Sequence, residues 1–174
     1  NWDRMRELIS NAGRPVNVLN LFAYTGGATV ACLAAGASVC HVDASKGMVE
    51  RAGENVRLSG LEDKPVRFII DDCKKFVQRE IRRGRKYDAI IMDPPSYGRG
   101  PNGEMWKIES ELYPLVELCT EVLSDNPLFF LINSYTTGLQ PMVLKNILTL
   151  TVGSKFPGEP EAYEVGIKTE EGID

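Results

Sequence analysis

The sequence predicts an α/β domain built on a mostly parallel sheet with helices on both faces. Three observations carry this. Apolar runs of about five residues alternate with helix-like stretches from residue 16 onward, the pattern of successive β-α-β units. The run Tyr87 to Met92 is almost continuously apolar, as a strand buried on both faces should be. The first four strand-like runs each end in a glycine turn or in aspartates, and parallel strands bring such ends to one edge.

The elements follow in order. Trp2 to Ile9 reads as an amphipathic helix stopped by Asn11-Ala12-Gly13 and Pro15. Val16 to Phe22 is the first strand, and Thr29 to Ala35 a small-residue helix ended by Gly36. Ser38 to Val42 is the second strand, with Asp43 at its carboxyl end. Ser45 caps a helix that runs to about Leu58 and stops at Gly60. Val66 to Ile70 is the third strand, ending in Asp71-Asp72, and a helix follows from Cys73 to about Arg83. Tyr87 to Met92 is the fourth strand, ending in Asp93-Pro94-Pro95. Ser96 to Glu104 holds three glycines and a proline and is expected to be a loop. Glu109 to Leu123 is helical, Leu128 to Ile132 is the fifth strand, and Leu139 to Leu150 is a helix with Pro141 in its first turn. Glu161 to Ile167 is expected to be a sixth strand.

Length and composition bound the function. The 174 residues, 43% hydrophobic and 25% charged, fit one globular domain, 1–174, in which residues 1–14 are a helical lead-in. The chain starts at Asn1 and is expected to be part of a longer protein. No apolar run is long enough for a bilayer. The four cysteines, Cys32, Cys40, Cys73 and Cys119, form no CxxC pair. They read as reduced core thiols of a cytoplasmic protein, with no metal site. His41 lies within an apolar strand and reads as a packed side chain. The net charge of −4 argues against this domain gripping a nucleic-acid backbone alone. The basic run Lys74 to Lys86 reads as the solvated face of a helix in preference to a phosphate patch. Oligomeric state is not legible.

The strand ends supply a candidate site. Phe22-Ala23-Tyr24-Thr25-Gly26-Gly27 is a strand exit followed by a small-residue turn into a helix. Glycine there lets backbone approach a ligand. Asp43 is placed to accept two ribose hydroxyls, and Asp72 an exocyclic amine such as that of adenine. In Asp93-Pro94-Pro95 the prolines remove two donors and stiffen the chain, leaving a carboxylate and carbonyls as fixed acceptors. Tyr97 offers a ring for stacking. The spaced glycines of a dinucleotide fingerprint and the lysine of a phosphate-binding loop are both missing. That fits a ligand with adenine and ribose but no pyrophosphate, and S-adenosylmethionine is the candidate cofactor.

The segments Asn20 to Gly27, Val42-Asp43-Ala44-Ser45, Asp71-Asp72 and Asp93 to Tyr97 resemble class I S-adenosylmethionine-dependent methyltransferases. Within that class they are most similar to the bacterial large-subunit ribosomal RNA methyltransferases that modify cytosine C5 or guanine N7. The resemblance covers about residues 15 to 135. It implies a Rossmann-like fold with a seven-stranded sheet, of which the last strand would be truncated here, and a ribosomal RNA substrate. By position, Phe22, Ala23, Tyr24, Thr25, Gly26 and Gly27 would surround the methionine part of the cofactor. Asp43, with Ala44 and Ser45, would bind ribose, and Asp72 with the backbone at Cys73 would bind adenine. Asp93, Pro94 and Pro95 would face the methyl and the target atom, and Tyr97 would steady the base. Trp106-Lys107 falls where relatives carry an aromatic and a lysine, and reads as a loop anchor. Relatives of the C5 type carry a cysteine just after the fifth strand, because C5 needs covalent activation at C6. Here that stretch is Asn133-Ser134-Tyr135-Thr136-Thr137, which turns the expectation toward a nitrogen target. The other readings are methylation of a small molecule or protein side chain, and a non-catalytic domain binding cofactor or nucleoside.

Overall fold

The computed structural model describes residues 1–166. Five strands form one parallel sheet: β1 (Asn17–Leu21), β2 (Ser38–Asp43), β3 (Val66–Ile70), β4 (Ala89–Met92) and β7 (Phe129–Ile132), in the order β3-β2-β1-β4-β7. Two short strands, β5 (Tyr97–Arg99) and β6 (Met105–Lys107), pair antiparallel as a separate hairpin. The helices are α1 (Trp2–Ser10), α2 (Gly27–Ala34), α3 (Lys46–Leu58), α4 (Cys73–Arg82), α5 (Ile108–Cys119) and α6 (Pro141–Leu150).

The pleat divides the core in two. Val18, Val39, Ala89 and Ile91 face α1, α2 and α3, against Met5, Ile9, Cys32, Leu33 and Val56. Leu19, Leu21, Cys40, Val42, Ile90 and Met92 face the other side, against Phe76, Val77, Leu112, Leu115 and Val116 of α4 and α5. Alternation along each strand therefore feeds two apolar layers. The chain runs outward from β1 to β3, then returns to the far side of β1 for β4. The strand order reverses between β1 and β4, and ligand crevices of open α/β sheets lie outside the carboxyl ends at such a reversal. β1 exits there into Phe22–Gly27, and β4 into Asp93–Tyr97.

Two expectations are corrected. Ser96–Glu104 is not simply a loop: Tyr97, Gly98 and Arg99 pair with Lys107, Trp106 and Met105. Glu161–Gly166 is not a strand. Its polar groups bond outside any ladder, with Arg4 of α1 donating to Glu161 at 3.1 Å and to Tyr163 at 3.3 Å. Ile167 lies outside the described residues.

Candidate active site

The turn after β1 is a strained piece of backbone held from three sides. Phe22 and Tyr24 have φ of 53° and 49°, a left-handed region that costs a side-chain-bearing residue roughly 1–2 kcal/mol. From β2, Asp43 Oδ2 accepts the Tyr24 N–H at 2.9 Å, while its Oδ1 accepts the Ser45 N–H at 2.9 Å. From α3, Asn55 Nδ2 donates to the Thr25 carbonyl at 2.8 Å. Beneath the turn, Asn20 Nδ2 donates to Thr29 Oγ1 at 3.0 Å, and that hydroxyl meets His41 Nδ1 at 2.9 Å.

The glycines are explained by packing within the protein. A Cβ on Gly26 would stand 2.9 Å from Ala52 Cβ, and one on Gly27 would stand 2.6 Å from the Trp2 ring. Gly26 also has φ of 83°. Ala52 of α3 and Trp2 of α1 pack against the turn, which gives the glycines a reason within the protein beside the expected approach of a ligand. Gly26 is the N-cap of α2 and brings no side-chain cap, so the helix offers uncapped N–H groups to an anion.

Asp72 is the N-cap of α4, with Oδ1 accepting the Lys75 N–H at 2.9 Å. Its second oxygen stays available beside the start of the helix at Cys73. Asp93 is half-buried, and Asn133 Nδ2, just beyond β7, reaches its Oδ1 at 3.4 Å. Burial pushes the Asp93 carboxyl above its ordinary value, against the hydrogen bonds from Asn133 and Tyr135 that favour the charged form. Ser96 Oγ meets Thr136 Oγ1 at 2.8 Å, joining the segments after β4 and β7. The segments after β1, β4 and β7 each carry an exposed ring, Tyr24, Tyr97 and Tyr135, at 62%, 51% and 82% exposure.

The structure thus brings Phe22–Gly27, Asp43–Ser45, Asp72–Cys73 and Asp93–Tyr97 to the ends of four adjacent parallel strands. Of the four cysteines, Cys73 stands at this edge. Cys32, Cys40, Cys73 and Cys119 are buried and free, and burial raises every one, Cys32 to about 12. None is a thiolate nucleophile near neutral pH. Most of the basic run is paired: Lys74 with Glu111 at 3.0 Å, Lys75 with Glu104, Arg79 with Asp71 and Arg83 with Glu80 at 3.1 Å. These pairs fit a charged helix face. No group of three or more metal-ligating side chains occurs among the described residues.

Residues 4–124 match the model of a family described as S-adenosylmethionine-dependent methyltransferase. The chain belongs to that family. The Shewanella frigidimarina ribosomal RNA large subunit methyltransferase K/L is 33% identical over 123 residues, 70% of this methyltransferase chain and 17% of the relative. The ribosomal RNA large subunit methyltransferase I of Klebsiella pneumoniae (strain 342) is 41% identical over 81 residues, 46% of this chain and 20% of that protein. The solved methyltransferase of Agrobacterium tumefaciens superposes with a TM-score of 0.82 at 42% identity, over 84% of this chain and 47% of its own. A putative methyltransferase solved with SAH (S-adenosylhomocysteine) gives 0.74 at 25% identity, over 84% and 38%. The chain therefore spans about a fifth of these curated relatives and less than half of these solved chains.

Sequence reasoning missed Asn55, which reaches the turn from a helix 30 residues later. It quoted Asn133 and Tyr135 only for the cysteine they replace. Their place just after β7, which pairs with β4, was the available signal.

Proposed function

We propose that this methyltransferase holds S-adenosylmethionine along the ends of β1, β2 and β3 and methylates a base nitrogen of ribosomal RNA. The donor and acceptor set fits the cofactor. The uncapped start of α2 suits a carboxylate, Asp43 keeps acceptor capacity for a ribose diol, and Asp72 keeps one oxygen for an amine. The bound cofactor supplies an electrophilic methyl on a sulfonium. The protein's part is to orient a nitrogen lone pair toward it and, where the target is an exocyclic amine, to receive the proton that the nitrogen loses.

The arrangement at Asp93 carries this reading. A half-buried carboxylate, made more basic by burial and bonded by Asn133 and Tyr135, follows β4, and exposed tyrosines stand in the segments after β1, β4 and β7, a set suited to a planar substrate and to accepting an amine hydrogen. Neutral, buried cysteines support nitrogen over C5. The names of the ribosomal RNA relatives support the substrate class. The net charge of −4 by itself favours no polyanion.

Transfer of labelled methyl from cofactor to ribosomal RNA, to cell-extract protein and to small molecules tests this. The expected result is label in RNA, found on a base nitrogen after nuclease digestion and mass spectrometry. Label on cytosine C5 would overturn the nitrogen assignment, and label only in protein or small molecules the RNA assignment. Cofactor binding without any transfer would leave a binding domain. Asp93→Ala should lower transfer by about 100-fold or more, with SAH affinity held within a few-fold.

A further inference from the structure

Trp106 joins the two halves of the candidate site. It sits in the middle of β6 and is 8% exposed. Its indole N–H donates to the Pro95 carbonyl at 2.7 Å. Its ring lies 4.8 Å from that of Phe22, tilted by 54°. Pro95 ends the motif that carries Asp93, and Phe22 opens the turn after β1. Pro94 and Pro95 have no N–H, so the sheet cannot tether this stretch through its own donors. The stretch is held at its ends, by the Asp93 N–H on Leu21 O and the Ile108 N–H on Ser96 O, and the indole N–H on the Pro95 oxygen fixes the prolines between them.

We propose that Trp106 is a positioning residue for methyl transfer. Its N–H sets the backbone that aims Asp93, and its ring backs Phe22 in its left-handed conformation. The inference rests on the site reading above. Methyl transfer tolerates little misplacement of the acceptor, since an error of about 1 Å can cost on the order of 100-fold. The hairpin does not depend on the indole N–H for closure. Ile108 N–H donates to Ser96 O at 3.0 Å at its base, and Glu104 pairs with Lys75 of α4 and accepts the Asn102 N–H near its tip. Replacing Trp106 by phenylalanine therefore removes the hydrogen bond while keeping the hairpin and an aromatic face.

The test compares wild type, Trp106→Phe, Trp106→Leu and Asp93→Ala in the full-length protein. Calorimetry gives the SAH dissociation constant. Tritiated cofactor and transcribed large-subunit ribosomal RNA give kcat and KM. For Trp106→Phe the expectation is a kcat about tenfold lower, with the SAH dissociation constant and cofactor KM within twofold. Trp106→Leu should weaken SAH binding as well, at least fivefold, because Phe22 loses its backing. Wild-type kcat in Trp106→Phe with Asp93→Ala inactive overturns the proposal alone, as does a loss shared equally by kcat and SAH affinity. Full transfer by Asp93→Ala, or no transfer by wild type to this RNA, overturns the site reading and this proposal with it.

Discussion

Asp43 spends one acceptor position of each carboxylate oxygen on the protein itself, for Tyr24 and Ser45. A second position on each oxygen is left for a diol. Asp43→Ala should therefore weaken SAH binding by about 1–3 kcal/mol, measured calorimetrically, and an unchanged affinity would remove the ribose assignment. His41, two residues earlier, is fully buried beneath the turn. Burial pulls it down from 6.5 to about 4, with Asp43 acting in the opposite direction. The folded state prefers the neutral ring, so the unfolded chain takes up the proton first as pH falls. Stability is intact above about pH 6.5 and declines toward pH 4, below which the folded ring is protonated too. At about 1.36 kcal/mol per unit, the full loss is about 3 kcal/mol. Urea unfolding at pH 7 and pH 5 should show this slope, and His41→Gln should flatten it.

At the scale of elements, the turn after β1 shows what the sequence displayed and what it hid. That Asn20 to Gly27 leaves a strand and enters a helix was legible, because an apolar run meets two glycines. Why the glycines are needed was not, since Ala52 and Trp2 arrive from distant positions. Gly26→Ala should cost about 2 kcal/mol or more in chemical unfolding, combining an unfavourable φ with overlap against Ala52. The hairpin escaped detection for a similar reason. Tyr97–Arg99 and Met105–Lys107 are three residues each, too short for alternation to register, and the pair is closed by Ile108 on Ser96 at its base and by Glu104 contacts near its tip. Glu161–Gly166 erred in the other direction. Its alternating Tyr163 and Val165 look strand-like, but a strand exists only where a neighbour offers a ladder, and here Arg4 is the partner instead.

Across the whole molecule, the sheet's two edges carry different groups. At the amino edge, Asp88 accepts from Arg14 at 2.6 Å, the Asn17 N–H at 2.9 Å and Ser124 Oγ at 2.9 Å. Arg14 also reaches the Asn126 carbonyl at 2.6 Å. One carboxylate thus ties the segment after α1, β1, β4 and the approach to β7. Its hydrogen bonds outweigh its burial and hold it below its ordinary value of 3.8. That stabilisation is present above pH 4 and is lost as pH falls through the lowered value. Asp88→Ala should destabilise the fold by about 2–3 kcal/mol in urea and leave SAH affinity of the folded fraction unchanged. The β-α alternation made this layered plan legible, since each strand's apolar pattern follows from burial on two faces.

The division between edges has a consequence for variation. In the proposed site the chemistry lies in loops that leave the carboxyl ends, while the clamp at Asp88 lies at the other end of the same strands. The segment Asn133 to Thr137 can therefore diverge in its choice of acceptor atom without drawing on the reserve that keeps the sheet folded. A saturation library there should yield folded proteins with altered or absent transfer. The same library over Arg14, Asn17 and Asp88 should yield proteins lost to degradation.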